Sequence, residues 1–224
     1  MNLNTILFDL DDTLLDRNKS LSIFIDLLIA KYSHLLIHDG NLNFRDIFID
    51  LDCSGYKPRK EMFNELLNTP LWRSKPDIEE LMDYWNTEFP RCATPVSNLY
   101  SILDYLHDKK MFMGIVTNSI TKFQYAKIDK LDIRKYMSVI IISEEVGIIK
   151  PNPEIYNLAF SRIGAKPDTT LFVGDYPSID IKGAYDAGIM SAWLSYGRVW
   201  DIDDYRPDYI IHDLSELISI IKYI

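Results

Sequence analysis

Short, continuously apolar runs alternate along the chain with segments whose apolar residues recur every three or four positions. The runs are TILFDL (5–10), FMGIVTN (112–118), SVIIIS (138–143), TLFVGD (170–175), MSAWLS (190–195) and DYIIHD (208–213). Runs of this kind, with little polar alternation, are expected of strands buried on both faces. Between them, Ser97–Lys109 carries Leu99, Ile102, Leu103 and Leu106 at helical spacing. Asn152-Pro153-Glu154 offers an Asn cap and a proline at the first helical position, and Gly164 is the expected stop of that helix. Ser178–Ala187 precedes Gly188 in the same way, and Leu214–Tyr223 closes the chain. The pattern predicts an α/β fold, a Rossmann-like parallel sheet with helices on both faces.

Residues 16–93 interrupt that alternation. They hold helical patterns only, over Ser20–Tyr32, Phe44–Leu51, Arg59–Leu67 and Asp77–Phe89, with Pro90 and Pro95 at the exit. An all-helical insert directly after the first strand predicts a small cap-like domain at 16–93, and a main domain assembled from 1–15 and 94–224. The alternative is a set of extra helices packed on the main core.

Composition narrows the function. At 224 residues, with 47% apolar and 25% charged content, the chain is long enough to bury a core without disulfides or a structural metal. Cys53 and Cys92 form no metal-type spacing and read as packing residues. A net charge of -9 leaves no basic excess for a nucleic-acid polymer or an anionic membrane, so an anionic ligand must be held by a few aimed groups. The N-terminal MNLNTILFDLDDT lacks the features of a secretory signal and no apolar run approaches membrane-spanning length, so a cytoplasmic protein is expected. The four His residues (34, 38, 107, 212) fit no metal or triad spacing.

In an open α/β sheet, ligands sit beyond the carboxyl ends of the strands. The polar residues there are Asp9 and Asp11 after the first run, Thr117 and Asn118 after the second, Lys150 in the loop beyond the third, and Asp175 after the fourth. Taken singly, each has a bland reading: an Asp after a strand is commonly a turn residue, Thr117-Asn118 could be a helix N-cap, and a Lys before Pro is commonly solvated.

Taken together, DLDDT (Asp9, Asp11, Thr13), IVTNS (Thr117), IKPNPEIY (Lys150) and LFVGDYPSID (Asp175, Asp180) resemble the ordered motifs of the haloacid dehalogenase (HAD) superfamily of hydrolases, most of which are phosphatases. The resemblance runs from Thr5 to about Trp193, and the helical insert takes the position of that family's C1 cap. It implies a Mg²⁺-dependent phosphomonoesterase for a small phosphorylated metabolite. Asp9 would be the nucleophile that forms an aspartyl-phosphate, and Asp11 the proton-transfer group. Lys150 would supply fixed positive charge. Mg²⁺ would be held by Asp9, Asp175 and the main-chain carbonyl of Asp11. Thr117 and the Asn118 N–H would bind phosphate oxygens, Thr13 would brace the loop and Asp9, and Asp180 would orient waters or Lys150. Asp12 has no role in the family pattern and is expected to be solvated or helix-facing. Tyr176 and Ile179 depart from the usual residues at their positions.

Within the insert, the turn around Gly55 and Pro58 gathers Tyr56, Lys57 and Arg59. These could contact substrate, as could Arg17 in the first linker, or the turn could be a solvated loop. Two competing functions stay open: a phosphomutase of the β-phosphoglucomutase type, and a HAD-like binding or regulatory protein without turnover.

Overall fold

The computed structural model describes residues 3–37, 42–55 and 57–223. By chain contacts it divides into two compact units, residues 1–17 with 94–224 and residues 18–93.

In the first unit, the apolar runs become β1 (Thr5–Phe8), β2 (Phe112–Thr117), β3 (Val139–Ile142), β4 (Thr170–Gly174), β5 (Met190–Leu194) and β6 (Tyr209–Ile211). They form a six-stranded parallel sheet in the order β3-β2-β1-β4-β5-β6. Every residue of β1 and β4 is buried, as central strands covered on both faces must be. Leu7 is paired with Gly114 on one side and Phe172 on the other. The chain builds outward from β1 to β3 and then crosses back to β4, so the direction of winding reverses between β1 and β4. The crevice beyond the carboxyl ends of those two strands is where such sheets bind ligands.

Helices of this unit are α5 (Leu99–Asp108), α6 (Thr121–Lys130), α7 (Ser143–Val146), α8 (Glu154–Ile163), α9 (Lys182–Asp186) and α10 (Leu217–Tyr223). At the start of α8, Asn152 Oδ1 accepts from Glu154 N at 3.0 Å, and Gly164 ends the helix at φ +68°. Leu7, Val116, Ile141, Ile155, Tyr156 and Phe172 belong to one buried cluster on this face of the sheet. The segment expected to be helical over Ser178–Ala187 divides into a π-helical turn at Pro177–Ile181 followed by α9. Helix α6 was not legible in the apolar pattern.

The second unit holds four α-helices among the described residues: α1, which starts at Arg17 and runs to Tyr32, α2 (Phe44–Asp52), α3 (Arg59–Leu67) and α4 (Ile78–Glu88). Asn43 and Asp77 cap α2 and α4 with their side chains. Its core is aromatic: Trp85 stacks on Phe89 at 4.0 Å between centroids, and Phe24 meets Trp85 edge-on at 4.9 Å. No helix among the described residues is long and apolar enough to cross a membrane.

Candidate active site

Asp9 leaves β1 with its N–H bonded to Val173 O at 2.9 Å, which fixes the start of the site to the adjacent strand β4. Lys150 Nζ reaches into this crevice and donates to Asp9 Oδ1 at 2.6 Å and to Asp180 Oδ1 at 2.7 Å. Its backbone is pinned from the end of β2: Lys150 N donates to Asn118 Oδ1 at 2.8 Å, and Asn118 Nδ2 donates to Lys150 O at 3.0 Å. Asn118 therefore positions Lys150 through its side chain, a function additional to the expected phosphate contact of its N–H.

Asp180 lies at the π-helical turn, where its Oδ2 accepts from Asp175 N at 3.1 Å and Tyr176 N at 3.0 Å. With Oδ1 on Lys150, both of its oxygens are committed, and the side chain is buried. Tyr176 enters this network through its main chain, its N–H donating to Asp180 Oδ2 and its carbonyl accepting from Asp180 N at 2.8 Å.

Asp9, Asp175 and Asp180 each bring a carboxylate oxygen within 4.8 Å of the others. Burial pushes the Asp9 carboxyl up to about 7 against the pull of Lys150, with the charge of Asp180 adding to the rise. Burial, then Asp180 and Asp9, push Asp175 to about 9. Burial opposes the charge on Lys150, but Asp180 and Asp9 outweigh it and hold the ammonium up at about 12. One lysine thus leaves the cluster short of positive charge, and an all-oxygen donor set of this kind fits a hard divalent cation such as Mg²⁺. Asp180 engages both oxygens with Lys150 and the Asp175 and Tyr176 N–H groups, so Asp9 and Asp175 are the less committed carboxylates of the three.

Four further residues, Arg198, Trp193, Lys127 and Gln124, shape the site, and the strand-end reading did not include them. Arg198, in the turn after β5, donates from Nη2 to Asp175 O at 2.7 Å and Asp175 Oδ2 at 3.2 Å. Trp193 Nε1 donates to the same carbonyl at 2.8 Å. On α6, Lys127 Nζ grips both Asp11 oxygens at 2.7 and 2.9 Å, and Gln124 Nε2 donates to Asp11 Oδ2 at 2.9 Å and to Thr117 Oγ1 at 2.8 Å. Burial alone would raise Asp11, but Lys127, Gln124 and the charge of Arg17 outweigh it and hold the carboxyl below its usual range. The Asp11 side chain, expected to be free for proton transfer, is here engaged as an acceptor by two residues of α6.

Thr13 is fully buried, and its hydroxyl has no hydrogen-bond partner among the described residues. The expected bracing is made instead by its main chain, N–H to Leu10 O at 3.3 Å. Asp12 faces the helix, its Oδ1 accepting from Arg17 N at the first residue of α1. Arg17 is buried, with its charge directed at the Asp11 and Asp12 carboxylates.

The expected substrate contacts of the insert have other partners. Lys57 pairs with Glu65 at 2.6 Å. Arg59 pairs with buried Asp52 at 2.9 Å and lies 3.8 Å from the Trp85 ring centroid, a packing position inside the helical unit. Tyr56 lies outside the described residues.

Residues 6–194 match the family model described as haloacid dehalogenase-like hydrolase. The chain belongs to that family. This HAD hydrolase is 30% identical over 227 residues to the pyrophosphatase PpaX of Oceanobacillus iheyensis, covering 99% of this chain and 98% of the relative. It is 29% identical over 225 residues to the glyceraldehyde 3-phosphate phosphatase of Methanocaldococcus jannaschii, covering 97% and 96%. Among solved structures, the HAD-hydrolase YfnB of Bacillus subtilis, crystallised with magnesium, superposes with a TM-score of 0.80 at 26% identity and 99% coverage of both chains. The resemblance carried by the four motifs is thereby confirmed, and the protein is a phosphatase-like HAD hydrolase.

Proposed function

We propose that this HAD hydrolase is a Mg²⁺-dependent phosphomonoesterase that acts on a small phosphorylated metabolite through an aspartyl-phosphate on Asp9. The observation that carries the reading is the Lys150 ammonium bridging Asp9 and Asp180 at 2.6 and 2.7 Å, beside a third carboxylate, Asp175. A phosphate monoester repels nucleophiles by its own charge, so attack by a carboxylate needs a nearby concentration of positive charge and a fixed line of approach. Lys150 supplies the fixed part. Bound at Asp9 and Asp175, with the Asp11 carbonyl implied by the family resemblance, Mg²⁺ would add a positive charge shared between the carboxylates and the phosphoryl oxygens.

In this reading an Asp9 oxygen forms the bond to phosphorus as the ester oxygen leaves, and water then breaks the acyl phosphate to release inorganic phosphate and regenerate Asp9. Asp11 exchanges protons with the leaving oxygen and the water. Its ionised state suits the second of these steps, in which it takes a proton from the water. The names of the two relatives and the magnesium of YfnB support the reaction class and the metal. The unit at 18–93 takes the role of the cap that selects the substrate.

The test is release of nitrophenol from p-nitrophenyl phosphate with and without Mg²⁺. Wild-type protein should turn over only with the metal, and Asp9→Asn should lose roughly a thousand-fold or more while keeping its circular dichroism spectrum. Turnover retained by Asp9→Asn removes Asp9 as nucleophile, and no metal-dependent release favours a binding protein.

A further inference from the structure

The side-chain amide of Gln124 is fully buried, and its orientation is dictated by its neighbours. Both Asp11 oxygens accept from Lys127 Nζ, at 2.7 and 2.9 Å, so in this arrangement the carboxylate faces α6 as an acceptor. The Gln124 atom 2.9 Å from Asp11 Oδ2 must therefore be the donor, Nε2. That same Nε2 lies 2.8 Å from Thr117 Oγ1, so the threonine oxygen accepts there and its own O–H is left to donate elsewhere. Among the described residues no acceptor takes that proton. Thr117 ends β2 and is buried, at the strand end next to Asp9.

Gln124 and Lys127 sit three residues apart on α6, on the face that also buries Ile128. A helix that turns an amide and an ammonium inward gives up apolar burial, a cost that only buried partners offset. Those partners are two residues at the carboxyl end of the sheet, Thr117 and Asp11.

We propose that Gln124, held in register by the Lys127–Asp11 pair, is a positioning residue for phosphate binding: it fixes the Thr117 hydroxyl as a hydrogen-bond donor and ties it to the Asp11 carboxylate. The ligand class is a tetrahedral or trigonal-bipyramidal oxyanion whose oxygen accepts the Thr117 proton. This deepens the phosphatase reading and rests on it.

The experiment titrates orthovanadate, a phosphate analogue, into Mg²⁺-loaded wild type, Gln124→Met, Gln124→Leu, Thr117→Val and the Gln124→Met/Thr117→Val double variant by calorimetry, with KM and kcat for p-nitrophenyl phosphate alongside. Losing one buried hydrogen bond should weaken orthovanadate binding by about tenfold in Gln124→Met and raise KM more than it lowers kcat. In the Thr117→Val background the same change should cost nothing further, because the amide acts through that hydroxyl. Mg²⁺ affinity should stay within about twofold of wild type, whereas general damage to the site would lower it along with orthovanadate binding. Gln124→Leu removes the same donor without adding charge, so it gives the same reading where the Met variant does not fold. Wild-type orthovanadate affinity in Gln124→Met, or full additivity with Thr117→Val, overturns the proposal. A wild type that binds orthovanadate without turnover, with the Gln124 effect intact, sinks the phosphatase reading and upholds the positioning role. Turnover unaffected by Thr117→Val does the reverse.

Discussion

At the scale of single residues, burial sets the behaviour of the metal-free site. Asp9 and Asp175 have their carboxyls raised from 3.8 to about 7 and about 9, so the folded protein resists ionising them more than the unfolded chain does. For an acid with a raised folded pKa, stability is fully present below the unfolded value and is lost as pH rises toward the folded one. The site's contribution should therefore fall between about pH 4 and about pH 9 in chelator, and a divalent cation should offset the loss. The rise in melting temperature on adding Mg²⁺ is expected to be larger at pH 8 than at pH 6, measured by scanning fluorimetry in parallel buffers. The acidic members of this cluster were legible because each closes or follows an apolar run. Arg198 was not, since only the first four strand ends were read; the same rule applied beyond β5 would have reached it. Lys57 and Arg59 stayed between two readings because a turn with two cations looks the same in sequence whether the charges face a ligand or pair with Glu65 and Asp52.

At the scale of elements, β4 and the π-helical turn approach each other more closely than a side chain allows. A Cβ on Gly174 would lie 2.5 Å from Asp180 Cβ and 2.6 Å from Asp180 Oδ2. Gly174→Ala must therefore push Asp180 off the Lys150 ammonium and the Asp175 and Tyr176 N–H groups. A stability loss of about 1–3 kcal/mol is expected by urea unfolding, together with weakened Mg²⁺ binding. The strands were legible because both of their faces are apolar. Helix α6 was hidden for the opposite reason: its buried residues are Gln124, Lys127 and Ile128, so the inward face carries almost no apolar periodicity. Topology could still have supplied it, because the parallel neighbours β2 and β3 need a crossover and such connections are usually helical.

At the scale of the whole molecule, the two passages between the units are bonded to each other inside the first. Asp16 N donates to Thr94 O at 2.9 Å, Val96 N to Leu14 O at 3.2 Å, and Leu15 forms an antiparallel bridge with Pro95. The helical unit has an aromatic core of its own, so damage there should stay local. Trp85→Ala removes the partner of Phe89, Phe24 and Arg59, and a loss of about 3–5 kcal/mol is expected from the unit at 18–93. Hydrogen exchange should accelerate across 18–93 while the β1 and β4 amides keep their protection; acceleration spread evenly over both units would contradict local damage.

The inward-facing Gln124 and Lys127 also set a trap for anyone engineering this protein for heat resistance. Replacing a buried amide and ammonium with well-packed aliphatic groups is a standard route to a higher melting point, and repacking the Lys127–Asp11 pair in that way would be rewarded in a screen that scores folding alone. The winners of such a screen would be sturdier proteins with a disarmed catalytic crevice. Thermal tolerance and turnover should therefore be selected together, with α6 exempted from consensus repair.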